Sequence, residues 1–212
     1  MWMRLVVAGL ALAACGCSAS TTAPSDGGAG ADATAAAPKT AAAKSETPSF
    51  AADLARVCSD GLGFPGLPAY RRGTESVHPT VLMNKGDSTW SQNTPLDGDY
   101  PRGWILGYTD NIKKTELVAC YERLAAAPAG KTCAMKDDKT DEQFTITMYN
   151  TTYRLRVLEA RTGKTVLNYR GRAASTTCPM LTFSSEGEDR TKYYTEARPA
   201  DYRGVLKKFI SS

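Results

Sequence analysis

Histidine is almost missing from this 212-residue chain; His78 is the only one. A Ser-His-Asp or Cys-His nucleophilic site would have to be built around it. No G-x-S-x-G elbow is present to expose a serine nucleophile. His78 sits in "VHPTVLM", where His-Pro reads as a turn leading into a strand. Closely spaced C-x-x-C pairs are absent as well, which removes the usual zinc and thioredoxin-like spacings. The acids of "KDDKTDE" at 136–142 lack the central glycine and ligand spacing of a calcium loop, so they read as a solvated hairpin tip. "LDGDY" at 96–100 reads the same way. Nothing in the sequence calls for a cofactor or a metal. No apolar run approaches the roughly 20 residues that a spanning helix needs. A large excess of one charge sign is also absent: 26 Lys and Arg stand against 22 Asp and Glu. Arg4 carries one positive charge and residues 15–49 a net single negative, so residues 50–212 hold the chain's formal +4. That scattered excess suits an anionic surface and does not argue for nucleic acid.

Present instead is a distinctive N-terminus. Arg4 precedes a short apolar run, Leu5 to Ala14, with the length of a signal-peptide core. Leu12-Ala13-Ala14-Cys15 resembles the bacterial lipobox. The resemblance implies cleavage before Cys15 and acyl chains on that residue, with 1–14 as the signal peptide. Cys17 is a second acylation site, a free thiol or neutral drift. Residues 18–49 are mostly Ala, Thr, Ser, Gly and Pro, too poor in large apolar residues to offset their ordering entropy. They predict a disordered tether, spanning about 30 Å root-mean-square. The expected location is extracytoplasmic, on a bacterial cell membrane, held by lipid on Cys15.

Residues 50–212 predict one domain: mainly β, an antiparallel sheet or sandwich with a C-terminal helix packed on it. "TVLMN" at 80–84 reads as a strand. "TELVACYERL" and "KTCAMK" flank "AAAPAG" and read as a hairpin. In "QFTITMYNTTYRLRVLEA", Phe144, Ile146 and Met148 alternate on even positions, whereas Tyr153, Leu155 and Val157 alternate on odd ones. One flat strand cannot bury both sets on one face. A bulge near Tyr149–Thr152, or a turn at Asn150, is therefore expected. "EARTGKTVLNYRG" predicts a further hairpin, with Gly163 in the left-handed region. Tyr202, Val205, Leu206, Phe209 and Ile210 form one helical stripe, with Pro199 in the first turn. Phe50, Leu54 and Val57 suggest a shorter helix leading into Cys58.

Four cysteines remain for the domain: Cys58, Cys120, Cys133 and Cys178. An even number in an exported domain predicts disulfides. If the expected hairpin turns at Ala126–Ala127, Cys120 faces Cys133, which leaves Cys58 for Cys178. Arg154 and Arg156 are expected on the solvent face of a strand, followed by Arg161, Arg170 and Arg172, a strip able to bind an anionic polymer. Trp90, Trp104 and the tyrosines serve either an aromatic binding surface or the core.

In order, "CSDG…AYRRG…VHPTVLM", "ELVACYER", "TCAMK", "VLEARTGKTV" and "CPM" resemble an uncharacterised domain of bacterial exported and membrane-anchored proteins. The likeness covers most of 58–180 and implies an extracytoplasmic β-rich domain with structural cysteines. The expected function is a non-catalytic binding module of the cell envelope, with an envelope protein, an anionic wall polymer or a small ligand as partner. The alternative is an envelope hydrolase using His78.

Overall fold

A computed structural model describes residues 45–73, 76–182 and 189–211. Their backbone forms α1 (Ala55–Asp60), β1 (Thr80–Lys85), β2 (Trp90–Gln92), β3 (Leu117–Lys136), β4 (Gln143–Glu159), β5 (Thr165–Ala173), β6 (Lys192–Tyr194) and α2 (Pro199–Ile210). The strands make one sheet in the order β2-β1-β3-β4-β5, with β6 also beside β4. Cys15, Cys17 and residues 18–44 of the expected tether lie outside the described residues.

The sheet is mixed rather than antiparallel throughout. β1 runs parallel to β3 and β6 parallel to β4; the other pairs are antiparallel. Parallel neighbours need a long connection. Residues 86–116 supply the first, carrying the chain back to the starting end of β1. For the second, the chain continues past β5 to Cys178, which is bonded to Cys133, and then returns as β6.

Both faces of the sheet are covered. On one, Leu117, Tyr121, Tyr153, Leu155 and Val157 pack with Tyr202, Leu206, Phe209 and Ile210 of α2. Burial of each large apolar side chain contributes ~1.5–3 kcal/mol. The helix forms where its stripe predicts. Pro199 opens it, and Asp201 accepts the Arg198 N–H at 2.7 Å. On the other face, Val81, Met83, Val118 and Cys120 pack with Leu54, Val57, Cys58, Phe64 and Leu67. The short helix before Cys58 is therefore present, although Phe50 is 73% exposed and takes no part. The packed body also starts earlier than residue 50. Pro48 is buried, and Glu46 makes a two-pronged bond to the Arg56 guanidinium at 2.8 Å.

The expected hairpin across "AAAPAG" does not exist. β3 runs through it, and Ala125–Pro128 pair with Thr152–Tyr149 of β4. β1 pairs only as far as Tyr121, so Pro128 lies on an open edge, where a missing N–H is tolerated. Gly130, at φ +72°, falls inside the irregularity between Pro128 and Thr132. Pro and Gly here mark an edge and a bulge, not a turn. The turn comes later, at 137–142, the acidic stretch read as a hairpin tip. There Asp137 Oδ1 accepts the N–H groups of Lys139 and Thr140 at 2.9 and 3.0 Å. Those donors hold the Asp137 carboxyl below the usual carboxylate range.

The two alternating sets in β4 also resolve differently. Tyr149–Thr152 pair residue for residue with β3, and the register shifts next to them open between Arg123 and Ala125 and between Pro128 and Thr132. β4 therefore keeps its alternation, and the sets leave on opposite faces. Ile146 and Met148 pack with Cys133, whereas Tyr153, Leu155 and Val157 join the α2 cluster.

All four domain cysteines are bridged, but the pairs are Cys58–Cys120 and Cys133–Cys178, with Cα separations of 5.6 and 5.8 Å. The expected pairs, Cys120–Cys133 and Cys58–Cys178, fail because Cys120 and Cys133 share one strand. Thirteen residues of extended chain separate them by on the order of 40 Å, far beyond disulfide reach. Cys58–Cys120 joins α1 to the middle of the sheet, and Cys133–Cys178 ties the segment after β5 to the far end of β3.

The β4–β5 hairpin is as predicted. Gly163 has φ +72°, and a Cβ there would fall 1.8 Å from the Gly61 carbonyl oxygen. Left-handed backbone and close chain approach both require glycine at that point.

Candidate binding groove

The lone histidine is structural in its surroundings. His78 is 1% exposed, and its Nδ1 lies 2.7 Å from Glu116 Oε2. Tyr70 meets its ring edge-on at 4.7 Å, and its N–H donates to the Ile210 carbonyl at 2.8 Å. These contacts pin the entry of β1 to the end of α2.

Arg154 and Arg156 are not a solvent strip. α1 covers their face, so both are half-buried and engaged. Arg154 pairs with Glu122, which is 6% exposed and also lies 3.5 Å from Lys85. Arg156 donates to the Cys58 carbonyl at 2.5 Å, near the C-terminal end of α1 where a cation is favourable. Desolvation, and then Arg154, pushes the Arg156 pKa down. Arg161, Arg170 and Arg172 are exposed. Trp104 is a core residue, 5% exposed, and Trp90 is half-buried beside the second cluster. Among the described residues no group of three or more His, Cys, Asp or Glu is placed to hold a metal.

The described residues enclose a groove of about 1110 Å³. Leu82 and Asn84 of β1 and Tyr121 and Arg123 of β3 line it, together with the loop after β2 at 93–96, residues 172–179 and 181–182 (Arg172 among them), and the segment from β6 into α2. Asn84 pairs in register with Tyr121, and Arg123 follows Tyr121 by two residues, so the sheet presents them on the α2 face. The segment leaving β6 is tied down at two points. Thr151 donates to the Thr195 carbonyl at 2.6 Å, and the Ala197 N–H donates to the Tyr121 hydroxyl at 3.3 Å. Burial pushes the Tyr121 and Tyr202 pKa values up.

Two features mark the groove chemically. Asn84 Oδ1, Thr94 Oγ1 and Thr195 Oγ1 have no hydrogen-bond partner among the described residues. Thr195 is only 8% exposed, so its unmet hydroxyl is costly. The second feature is Arg123. Its guanidinium stacks 4.2 Å over the Tyr194 ring, with Tyr149 5.2 Å beyond, and it has no acidic partner among the described residues. Arg172 also lines the groove without an ion pair among the described residues, whereas three other cations there are paired. Lys192 pairs with Asp189 at 2.9 Å, Arg190 with Glu142 at 2.9 Å, and Arg198 with Asp201 at 3.8 Å.

Sequence reasoning singled out none of Asn84, Arg123, Tyr194 or Thr195. They come from separated segments, and only "KYYTEARP" at 192–199 carried a local hint, a tyrosine pair among charges. No family model, curated protein or solved structure matches the chain.

Proposed function

We propose that the chain is a lipid-anchored extracytoplasmic binding module, attached to a bacterial membrane through Cys15 and non-catalytic, with the groove beside Arg123 as its ligand-binding surface. One contrast carries the reading. The only histidine is enclosed and committed to Glu116, whereas Arg123, stacked on Tyr194 and without an ion pair among the described residues, lines an open groove. A hydrolase would need its base in reach of a substrate. At 1% exposure, His78 gives that reading no support. The two disulfides suit an oxidising compartment.

Fractionation of wild-type and Cys15→Ala protein tests the anchor. Wild-type protein is expected in washed membranes and the variant in the soluble fraction, still folded by near-ultraviolet circular dichroism. Retention of the variant on washed membranes overturns the anchor. For the groove, a photo-reactive residue at Leu96, which lines it and is 81% exposed, is expected to crosslink to an envelope component. Replacement of Arg123 by Gln should weaken that crosslink. Equal crosslinking from a probe at Arg170, outside the groove, counts against it.

A further inference from the structure

We infer that the β4–β5 hairpin is a basic face that lies against anionic phospholipid headgroups, a second binding surface that shares Arg172 with the groove. The positive charge of the domain is concentrated there rather than scattered. From Arg154 to Arg172 stand six cations, Arg154, Arg156, Arg161, Lys164, Arg170 and Arg172, against one acid, Glu159. That is a net +5, where residues 50–212 carry +4, so the rest of that stretch is net −1. Glu159 is engaged in the turn, where its Oε2 accepts from the Thr162 hydroxyl at 2.6 Å. Arg161, Lys164, Arg170 and Arg172 are exposed, and none has an ion pair among the described residues.

Strand register shows why these cations are not satisfied within the fold. One row across the sheet runs Lys85, Glu122, Arg154, Arg170. Glu122 lies directly opposite Arg154, and Arg154 directly opposite Arg170. The single carboxylate of the row takes Arg154 on one oxygen and Lys85 on the other. Arg170 is left facing a like charge, an arrangement that costs stability. On the same face Arg172 lies opposite Thr152, and both are exposed. Charges on an edge strand such as β5 also keep other chains from pairing with it. That role requires neither a single sign nor a cation opposite Arg154. Phosphate oxygens at Arg154, Arg170 and Arg172 would relieve the repulsion and meet the guanidinium forks.

Shape selects the source of the phosphate. From Lys164 to Arg172 the strand extends about 26 Å, more than one phosphate needs. Arg161, Lys164 and Arg170 lie outside the groove and outside the smaller pocket at Tyr100 and Trp104. An open, elongated cationic strip suits a plane of many phosphates better than one enclosed ligand. The choice of a bilayer rests on the membrane reading above. Four exposed cations do not hold a protein through washing. Added to an acyl anchor, they supply a second signal and fix which face the domain turns to the lipid.

The test is cosedimentation of full-length Cys15→Ala protein, which lacks acyl chains, with vesicles of phosphatidylcholine alone or of an equal mixture with phosphatidylglycerol. Residues 1–14 are common to every variant compared. Preference for the mixed vesicles is expected, weakening as salt is raised. Each basic residue at an anionic surface contributes roughly fivefold, so Arg170→Gln should weaken binding by about that factor. Arg170→Gln together with Arg172→Gln should weaken it by about 25-fold. Lys208→Gln removes the same charge from exposed α2 surface and should leave binding unchanged. Arg170→Gln should also melt no lower than its parent, since it removes the charge facing Arg154. Equal binding to both vesicle types, or an equal loss in Lys208→Gln, overturns the hairpin face. A lower melting temperature in Arg170→Gln overturns the like-charge argument. Tighter binding to soluble polyphosphate than to vesicles of equal phosphate content overturns the bilayer in favour of an anionic polymer. A photo-reactive residue at Arg170 is expected to capture phospholipid, which its mass separates from the component captured at Leu96. The protein tested has no acyl chains, and Leu96 and Arg123 are untouched, so failure here leaves the anchor and the groove to their own tests.

Discussion

The two halves of β3 have the same strand partner, β4, yet live in different surroundings. From Leu117 to Glu122 every residue is buried, with β1 and β4 on either side as far as Tyr121. From Arg123 onward the strand has β4 alone, and its side chains are mostly exposed. Each half carries one disulfide. The bridges close 62- and 45-residue separations, so the chain-entropy model assigns each about 4 kcal/mol. Loop length does not distinguish them. Coverage does: Cys58 and Cys120 are 0% exposed, whereas Cys178 is at the surface. The first half is scaffold, and the second holds up one wall of the groove.

The sharpest break in this comparison is loss of the core bridge. Replacing Cys58 and Cys120 together by Ala removes about 4 kcal/mol of loop constraint and leaves space in a packed cluster. Cooperative unfolding near ambient temperature is expected in thermal melts. Gly163→Ala should come next, at roughly 3 kcal/mol, since φ +72° and the Gly61 carbonyl both oppose a Cβ. The check is its urea midpoint against that of an alanine at exposed Arg161 in the same turn. Replacing Cys133 and Cys178 by Ser should cost about 2 kcal/mol, because the native segment it restrains is already exposed. Mild reduction without denaturant should label Cys133 and Cys178 before Cys58 and Cys120. Simultaneous labelling of all four would dissolve the distinction between the halves.

Glu122 stands at the junction. Glu122→Gln strips the charge facing Arg154 and Lys85, both partly exposed, so solvent screening limits the expected loss to about 1 kcal/mol. Smallest near neutrality is the tyrosine effect. Burial raises the folded-state pKa values of Tyr121, Tyr153 and Tyr202 above the unfolded value near 10. Their contribution is complete below that pH and is lost as pH rises above it toward the folded values. Alkaline melts should therefore fall from about pH 10, and Tyr153→Phe should flatten that slope. An identical slope in the variant would remove Tyr153 from the account.

Much of the body was legible locally. The stripe of Tyr202, Leu206, Phe209 and Ile210 is a one-element pattern, and α2 carries it at those positions. The turn at Gly163 and the acidic tip at 137–142 were equally local. The misreadings share one cause. Pro128 and Gly130 look like a turn until it is known that β1 stops at Tyr121 and leaves an edge. The phase change in β4 looks like a bulge until both faces prove to be covered. Arg154 and Arg156 look solvated until α1 is placed over them.

By itself the sequence determined the elements whose signal repeats within a few residues: the helix stripe, the alternating strands, the left-handed glycine and an even set of cysteines. It also carries the lipobox-like Leu12-Ala13-Ala14-Cys15, which needs no fold to be read. Only the tertiary structure decided which cysteines pair, which strands run parallel and which residues line the groove. Those depend on contacts between segments tens of residues apart. The chain's local preferences allow several such arrangements, and burial on both faces of the sheet selects among them.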